Sequence, residues 1–364
     1  MNNKDIPKSG SLPVIQEGQI LWNELDNLPR KSKKEIRSLN FRAPARVNFG
    51  ILDFTEMRPN LPGTHCNSGS LGFGVSLYAT VGLTLIDKSN VIISGKLSKG
   101  ENKLLKHVAL IMKKLTDYRG GFEISIKEII PYHHVGLGST AALTCALYNA
   151  INIALVRPFT DRELVKISAF NYVENGPNDK LYPGQSTGLS GWVALKGGIC
   201  IVTAEAELVI RDEIPKNYKV VVGLPKIEEK GIAESEKELP ALQKFYLYDR
   251  FNAARICHWT LMKLIPAIKS KNYKEVGEIT WDMFINSCKG IGIVMLWGSS
   301  EILEILFELK KAGGEICFIS SVGPAIVTLV PFKLVDDIVK IYQRHNQKAL
   351  KLNIDNRGGQ IIWN

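Results

Sequence analysis

Two closely spaced glycines followed by two hydroxyl residues form the most chemically informative segment of the sequence. Residues 131–142 read PYHHVGLGSTAA, and a strongly helical pattern follows them. Glycines let the backbone approach a ligand closely, and the following helix directs its free N–H groups and positive dipole end at the loop. We therefore predict a phosphate-binding loop made by Gly136, Leu137, Gly138, Ser139 and Thr140.

A simpler interpretation of this segment is a tight strand-to-helix turn capped by Ser139. That turn would explain the serine, but not both glycines together with Thr140. No lysine follows the second glycine, so the segment is not a Walker A loop. Anion binding is the interpretation that explains both glycines together with Ser139 and Thr140.

Two further loops contain residues that bind ligands in other proteins. Residues 184–191, GQSTGLSG, are unusually rich in glycine and hydroxyl groups, although a flexible loop is an equal alternative. Residues 320–324, SSVGP, separate two apolar segments and by themselves indicate a turn. Neither loop on its own predicts a function.

The elements that must position these loops are a mixture of strands and helices. Strand patterns cover residues 41–52, 72–87, 90–94, 122–130, 218–224, 315–319 and 325–330, and residues 192–209 are predicted to form two strands joined at a Gly-Gly pair. Helical periodicity covers residues 103–115, 141–155, 164–173, 242–267, 273–289, 300–312 and 333–345. Because strands and helices do not alternate regularly, we predict an α+β fold with a domain boundary between residues 212 and 240.

The composition is that of an ordinary globular protein, with 45% apolar and 23% charged residues among 364. The six cysteines are scattered without a C-x-x-C pair, which argues against a disulfide framework and predicts a cytoplasmic location. The N-terminal residues lack the apolar run of a signal peptide, and no stretch is long enough for a membrane span.

The chain is basic, with 46 Lys and Arg residues against 36 Asp and Glu and a net charge of +10. Such a charge suits nucleic acid, an anionic membrane surface or a phosphorylated small molecule. The one dense basic run, residues 30–37, has no interleaved aromatic residues, and no nucleic-acid-binding motif is present. We therefore predict small-molecule substrates, with neither nucleic acid nor membrane as a partner.

Three segments together resemble the signature regions of the GHMP superfamily of small-molecule kinases. They are FRAPARVN at residues 41–48, GLGS at 136–139 and SSVGP at 320–324, in that order. The resemblance implies a two-domain α+β fold, with a ribosomal-protein-S5-like domain at residues 39–215 and a ferredoxin-like domain at 216–364. Residues 1–38 would be an N-terminal extension, and a homodimer is implied.

Two positions differ from the usual pattern of the kinases in this superfamily. Many kinases have lysine where this chain has Arg46. Many also have an acidic residue in the region of Ser186, and Asp179 is the nearby residue that could take its place here. The motifs HVGLGS at 134–139 and CHWTLMKLIPA at 257–267 are more similar to β-ribofuranosylaminobenzene 5′-phosphate synthase and the related C-nucleoside synthases. The opening strand through Asp53 and the acidic residues 231–238 also resemble that branch.

This second resemblance implies that ribose 5-phosphate from phosphoribosyl pyrophosphate is joined to an aromatic ring carbon, with loss of carbon dioxide and pyrophosphate. The acceptor would be a carboxylate resembling 4-aminobenzoate or a carboxylated pyrazole-like heterocycle, and Mg²⁺ is the implied cofactor. Arg46, His134 and Asp53 are the implied catalytic residues. The implied substrate-binding residues are Arg42, Gln185, Ser186, Thr187, His258, Ser320, Ser321 and Gly323.

Two other functions stay open from the sequence. The same loops could hold the triphosphate of ATP in a small-molecule kinase, or a phosphate-bearing ligand in a relative that has lost catalysis. The metal ligands are not predicted.

Overall fold

The computed structural model describes residues 12–22, 24–25, 36–225, 249–287, 290 and 300–362. Its first sheet has eight strands and contains the long hairpin of β1 (Ser38–Ile51) and β2 (Ser70–Ile86). Along β1, alternate side chains from Leu39 to Phe49 are buried, as expected for a strand with one face on a core. The register shifts between Pro44 and Ala45, where proline has no N–H to donate to the neighbouring strand.

The other strands of this sheet are β3 (Val91–Ser94), β4 (Gly121–Glu128), β7 (Ile199–Val202) and β8 (Leu208–Asp212). The short strands β5 (Val173–Asn175) and β6 (Leu181–Pro183) form a separate hairpin. Helices α1 (Lys99–Thr116), α2 (Ser139–Ala154) and α4 (Leu189–Lys196) pack on the strands, and α3 (Asp161–Phe170) packs against α2 and α4. Helix α2 is central, since almost every residue after its first turn is buried.

A second sheet has four antiparallel strands in the order β10 (Ile316–Ile319), β11 (Ile326–Pro331), β9 (Tyr218–Leu224) and β12 (Lys348–Leu352). The later helices are α5 (Ala253–Trp259), α6 (Ile265–Lys269), α7 (Tyr273–Ile285), α8 (Glu301–Lys311) and α9 (Val335–Arg344). The chain then returns to the first sheet, where β13 (Ile354–Asp355) pairs with β2 and β14 (Gln360–Ile362) pairs with β1. The α+β class predicted from the sequence is confirmed.

One predicted hairpin is wrong in its first half. Residues 189–196, predicted in part as a strand, form helix α4, and Gly197 ends that helix instead of turning between strands. The helix is packed on most sides, so its apolar residues show no 3.6-residue periodicity for the sequence to reveal. The actual hairpin pairs β7 with β8.

The helix predicted from residue 242 is described only from residue 249 onward, and five π-helical residues, Thr260–Leu264, separate α5 from α6. The acidic segment 231–238 lies outside the described residues. The predicted domain boundaries stay predictions. Within the described ranges, no helix is long and apolar enough to cross a membrane.

Candidate active site

A cleft of about 160 Å³ opens beside β1, where three loops meet. They are the predicted phosphate-binding loop at residues 136–140, called the glycine loop below, the loop before α4 and the loop after β10. Ten of the predicted site residues line this cleft: Arg46, His134, Gly136, Gly138, Ser139, Thr140, Gln185, Ser186, Thr187 and Ser321. They come from four separate segments of the chain, so the fold creates a single site from motifs that are distant in sequence.

The glycine loop has the conformation that its sequence predicts. Gly136 and Gly138 have φ of +93° and +66°, in the region that favours glycine. A Cβ on Gly136 would lie 2.1 Å from the carbonyl oxygen of Ser320, which leaves no room for a side chain. Gly138, and not Ser139, is the N-cap of α2, and no side chain caps the helix there. The first residues of α2 line the cleft, so the N–H groups that have no acceptor within the helix lie beside it.

Arg46 lies directly over this helix start. Its Nη1 donates to the carbonyl oxygen of Gly136 at 3.0 Å, and its Nε donates to Ser190 Oγ at 3.1 Å. A Cβ on Gly138 would lie 3.2 Å from Arg46 Cζ, so glycine allows the guanidinium to approach the loop. The guanidinium and the helix dipole thus place positive charge on one wall of the cleft.

Ser320 holds two of the predicted motifs together. Its buried Oγ accepts from the backbone N–H of Asn48 at 3.1 Å and donates to the carbonyl oxygen of Gly136 at 2.7 Å. The N–H of Ser321 donates to the carbonyl oxygen of Asn48 at 2.9 Å, and that of Gly323 to the carbonyl oxygen of Ser320 at 2.8 Å. Ser320 and Gly323 therefore shape the wall, whereas Ser321 lines the cleft itself.

The loop before α4 faces the glycine loop across the cleft. Ser186 Oγ accepts from the N–H of Gly188 at 3.3 Å, and Thr187 Oγ1 accepts from the N–H of Leu189 at 3.4 Å. These hydroxyls support the start of α4, a second helix N-terminus at the cleft. Gln185 Oε1 is buried, and no described residue donates a hydrogen bond to it.

Besides Ser320 and Gly323, four predicted site residues do not line the cleft. Arg42 stacks on Tyr78, with 4.2 Å between its Cζ and the ring centroid, and Arg42 also donates to Gln360 at 3.2 Å. Asp53 caps a short 3-10 helix by accepting from the N–H of Thr55 at 2.8 Å. Separately, His258 is exposed on α5, and Leu137 is fully buried in the core.

The alternative acid, Asp179, also lies outside the cleft, where its carbonyl oxygen accepts from Lys103 Nζ at 2.8 Å. The cleft instead contains Glu174, a carboxylate that the sequence analysis did not single out. Burial raises the pKa of Glu174 to about 7. Glu174 lies in β5 with no motif around it, so its position was not visible from local sequence.

Leu12 is another residue of the cleft wall that the sequence analysis did not predict. The segment from Leu12 to Trp22 lies against the β5–β6 hairpin, where the N–H of Ile15 donates to the carbonyl oxygen of Leu181 at 2.8 Å. Further along, the N–H groups of Leu21 and Trp22 donate to Asn171 Oδ1 at 2.8 and 3.0 Å. This part of the predicted extension is therefore integrated into the fold and contributes to the site.

Comparisons with known proteins agree with this architecture. Residues 102–179 match the family described as GHMP kinases N terminal domain. The chain is 25% identical to a β-ribofuranosylphenol 5′-phosphate synthase of Methanocaldococcus jannaschii, over 88% of this chain and 99% of the relative. It is 22% identical to a 4-diphosphocytidyl-2-C-methyl-D-erythritol kinase of Bacillus pumilus, over 80% of this chain and 88% of that one. The solved mevalonate diphosphate decarboxylase of Enterococcus faecalis superposes with a TM-score of 0.62 at 14% identity, over 90% of this chain and 99% of that chain.

The chain thus has the GHMP-kinase fold, as predicted. The resemblance to the GHMP superfamily and to its ribofuranosyl phosphate synthase branch is also confirmed. These matches indicate an enzyme of this superfamily. Relatives named as kinases are as similar as those named as synthases, so the reaction has to be inferred from the site.

Proposed function

We propose that the protein is a decarboxylating phosphoribosyltransferase, which joins ribose 5-phosphate to an aromatic or heteroaromatic carboxylate. The observation that most supports this is the apposition of Arg46 and the uncapped start of α2, with Gly138 between them. Together they offer a planar guanidinium and a row of N–H donors to a phosphate-rich ligand. The similarity to relatives named β-ribofuranosylphenol 5′-phosphate synthase favours phosphoribosyl pyrophosphate as that ligand.

The reaction would form a bond between ribose C1 and the ring carbon that bears the carboxylate. The C1–oxygen bond to pyrophosphate breaks, and carbon dioxide leaves while its bonding electron pair returns to the ring. Arg46 and the N–H groups of residues 138–140 would stabilise the negative charge that grows on the departing pyrophosphate. His134, in the same cleft, would donate a hydrogen bond to that leaving group. We assign no role in these steps to Arg42, Asp53 and His258, which do not line the cleft.

A magnesium ion is compatible with the donors that the cleft offers. Among the described residues, no three His, Cys, Asp or Glu side chains form a metal cage. Mg²⁺ in phosphate-transferring enzymes needs only one or two carboxylates, since the substrate phosphates supply other ligands. We propose that Glu174 holds the ion, with the hydroxyls of Ser139 and Thr140 beside it. When bound, Mg²⁺ would neutralise part of the pyrophosphate charge.

A small-molecule kinase is the second candidate function. It is supported by relatives named as homoserine kinase and 4-diphosphocytidyl-2-C-methyl-D-erythritol kinase. A carboxylate with a pKa of about 7, as Glu174 has, could also accept a proton from a hydroxyl substrate. The same phosphate loop would then bind ATP.

Calorimetric titration of the full chain separates these functions. With Mg²⁺ present, phosphoribosyl pyrophosphate should bind, ATP should not, and Arg46→Met should weaken donor binding at least tenfold. Aromatic carboxylates added with the donor should then release carbon dioxide and pyrophosphate in equal amounts. Binding of ATP without binding of phosphoribosyl pyrophosphate would contradict the transferase and favour the kinase.

The predicted homodimer and cytoplasmic location rest on the family resemblance and on the cysteine pattern, respectively. We propose both as properties of the enzyme. Light scattering of the purified chain would test the dimer, since a mass near twice 40.5 kDa is expected.

A further inference from the structure

The N-terminal strap, residues 12–22, runs from the cleft across α1 to the end of α3. It lies against the β5–β6 hairpin, which lines the cleft through Glu174 and Pro183. A hairpin of two strands is only marginally stable by itself, and a further strand or a packed apolar face stabilises it. The contacts between the strap and the hairpin therefore bear on the position of Glu174.

The strap adds both a backbone pairing and apolar side chains to the hairpin. The N–H of Ile15 donates to the carbonyl oxygen of Leu181 in β6 at 2.8 Å, within an antiparallel bridge. A cluster of five buried apolar side chains joins the strap, α1 and the hairpin: Ile15, Leu21, Leu104, Val173 and Leu181. Because two of these five side chains belong to the strap, it keeps an apolar part of the hairpin out of water.

The far end of the strap is fastened to Asn171, a buried residue that follows α3 and precedes β5. Its Oδ1 accepts from the N–H groups of Leu21 and Trp22, and its Nδ2 donates to the carbonyl oxygen of Trp22 at 3.0 Å. The next residue, Tyr172, lines the cleft, and Glu174 lies two positions further along the chain. The strap is thus bound close in sequence to the carboxylate of the cleft.

Helix α1 holds the middle of the strap. The buried His107 accepts from the N–H of Gly18 through Nδ1 at 3.0 Å and donates to the carbonyl oxygen of Asn171 through Nε2 at 3.3 Å. Lys114 Nζ donates to the carbonyl oxygen of Gly18 at 2.5 Å. Gly18 has φ of +72°, and a Cβ there would lie 2.5 Å from Leu110 Cβ, so the strap fits against α1 only with glycine at this position. His107 therefore connects the strap directly to Asn171.

We propose that the N-terminal strap is a positioning element of the active site, which holds the β5–β6 hairpin so that Glu174 stays in the cleft. The effect on ligand binding rests on the proposed function, in which Glu174 holds Mg²⁺, whereas the effect on the hairpin does not. Asn171 and His107 do not line the cleft, so they are positioning residues and not catalytic ones. Loosening the strap should let the hairpin shift and should weaken binding of the magnesium-loaded donor.

The first test uses Gly18→Ala in the full chain, where alanine is strained by the positive φ and collides with Leu110. Hydrogen exchange should become about tenfold faster in residues 12–22 and 173–183, because both segments open more often. The affinity for phosphoribosyl pyrophosphate with Mg²⁺ should fall about tenfold, as expected when a metal ligand loses its support. Gly63→Ala is the matched control, with φ +77° and nothing within 4 Å of the added carbon, and it should leave both quantities unchanged.

A second pair of variants disturbs the strap more mildly, in case Gly18→Ala does not fold. Lys114→Met removes the donor to the carbonyl oxygen of Gly18. Lys113→Met, the control, removes a similar bond from the same helix to the carbonyl oxygen of Ser89, at 2.7 Å. Lys114→Met should make exchange in the hairpin about threefold faster, as the loss of one hydrogen bond implies, and Lys113→Met should not.

A double-mutant cycle separates positioning from a general loss of stability. If the strap acts through Glu174, Gly18→Ala should lower donor affinity in the wild type but not in the Glu174→Gln background. Additive losses would overturn the proposal, and so would faster exchange in the strap with unchanged exchange in the hairpin. If the wild type does not bind the donor, the proposed function fails, and the exchange of the hairpin alone then decides whether the strap holds it.

Discussion

Ser320 and Gly136 are 184 residues apart in the chain, yet the serine Oγ donates to the glycine carbonyl oxygen at 2.7 Å. The same carbonyl oxygen accepts from Arg46 Nη1 at 3.0 Å. One backbone atom of the phosphate loop is therefore fixed from two sides, by β1 and by the loop after β10. This relationship joins three separate motifs of the sequence in one wall of the cleft.

Replacing Ser320 with alanine should loosen the phosphate loop. The change removes a donor to Gly136 and leaves the buried N–H of Asn48 without its acceptor, which costs about 1–3 kcal/mol of unfolding free energy. Chemical denaturation and titration with phosphoribosyl pyrophosphate should show lower stability and weaker binding. Ser270→Ala is the control, because this exposed serine also donates to a backbone carbonyl, at 3.1 Å, but lies far from the cleft in sequence and contacts. Equal effects of the two changes would contradict the role given to Ser320.

Gly138→Ala should weaken anion binding more than it weakens the fold. Alanine at φ +66° costs about 1–2 kcal/mol, and its Cβ would press on the guanidinium of Arg46. The affinity for the phosphoribosyl donor should fall at least tenfold. Gly63→Ala is a matched control, with φ +77° and nothing within 4 Å of the added carbon. It should cost similar stability and leave the affinity unchanged, and a loss of affinity there would show that backbone strain alone is responsible.

Protonation of Glu174 should make ligand binding depend on pH. Its pKa of about 7 is raised by burial, so the carboxylate is largely protonated at pH 6 and ionised at pH 8. If Glu174 holds Mg²⁺, binding of the magnesium-loaded donor should strengthen as the pH rises through 7. Glu174→Gln should bind weakly and lose the part of the pH dependence between pH 6 and 8 that this residue causes. If the wild type and the variant show the same pH dependence of donor binding between pH 6 and 8, Glu174 does not hold the metal.

Replacing Leu12 should weaken substrate binding more than it lowers the stability of the fold. Its side chain lines the cleft, while the segment is held by separate contacts at Ile15, Leu21 and Trp22. Leu12→Ala should raise the KM of the substrate bound in the cleft about three- to tenfold, since part of an apolar contact is lost, with little change in the thermal midpoint. Val14→Ala, at a side chain that is 48% exposed, provides the control and should leave KM unchanged. Equal KM values for the two variants would show that Leu12 does not contact the substrate.

His107 should make the fold sensitive to acid. Burial lowers its pKa to about 4, and the neutral ring accepts from the N–H of Gly18 at 3.0 Å through Nδ1 and donates to the carbonyl oxygen of Asn171 through Nε2. A lowered histidine pKa gives stability that is present above about pH 6.5 and is lost as the pH falls toward 4. Lys114 nearby lowers this pKa further, and Glu17 opposes it.

The free energy of unfolding should consequently be about 2 kcal/mol lower at pH 5 than at pH 7 from this group alone. Urea denaturation of the wild type and His107→Gln at both pH values measures that contribution. The variant should be less stable at pH 7 and should lose less stability on acidification. An identical acid loss in both proteins would show that His107 is not the cause.

The sequence by itself determined the local features of this protein. Gly136 and Gly138 in front of a helical segment predict the phosphate loop, because a positive φ and a helix N-terminus depend on neighbouring residues alone. The apolar alternation of β1 and the periodicity of α1 likewise predict their own elements. Helix α4 was missed because a helix buried on most sides has no polar face to reveal its period.

Only the tertiary structure decided which side chains share the cleft. Arg42 and Arg46 lie on one strand, but a register shift at Pro44 and contacts with Tyr78 and Gln360 direct Arg42 elsewhere. Glu174 and Leu12 reach the cleft through the β5–β6 hairpin, which no motif marks. Such placements depend on pairings between residues far apart in the chain. Local sequence patterns reflect only interactions between residues close together in the chain. They therefore cannot predict these placements, which are determined by the packing of the sheets and helices.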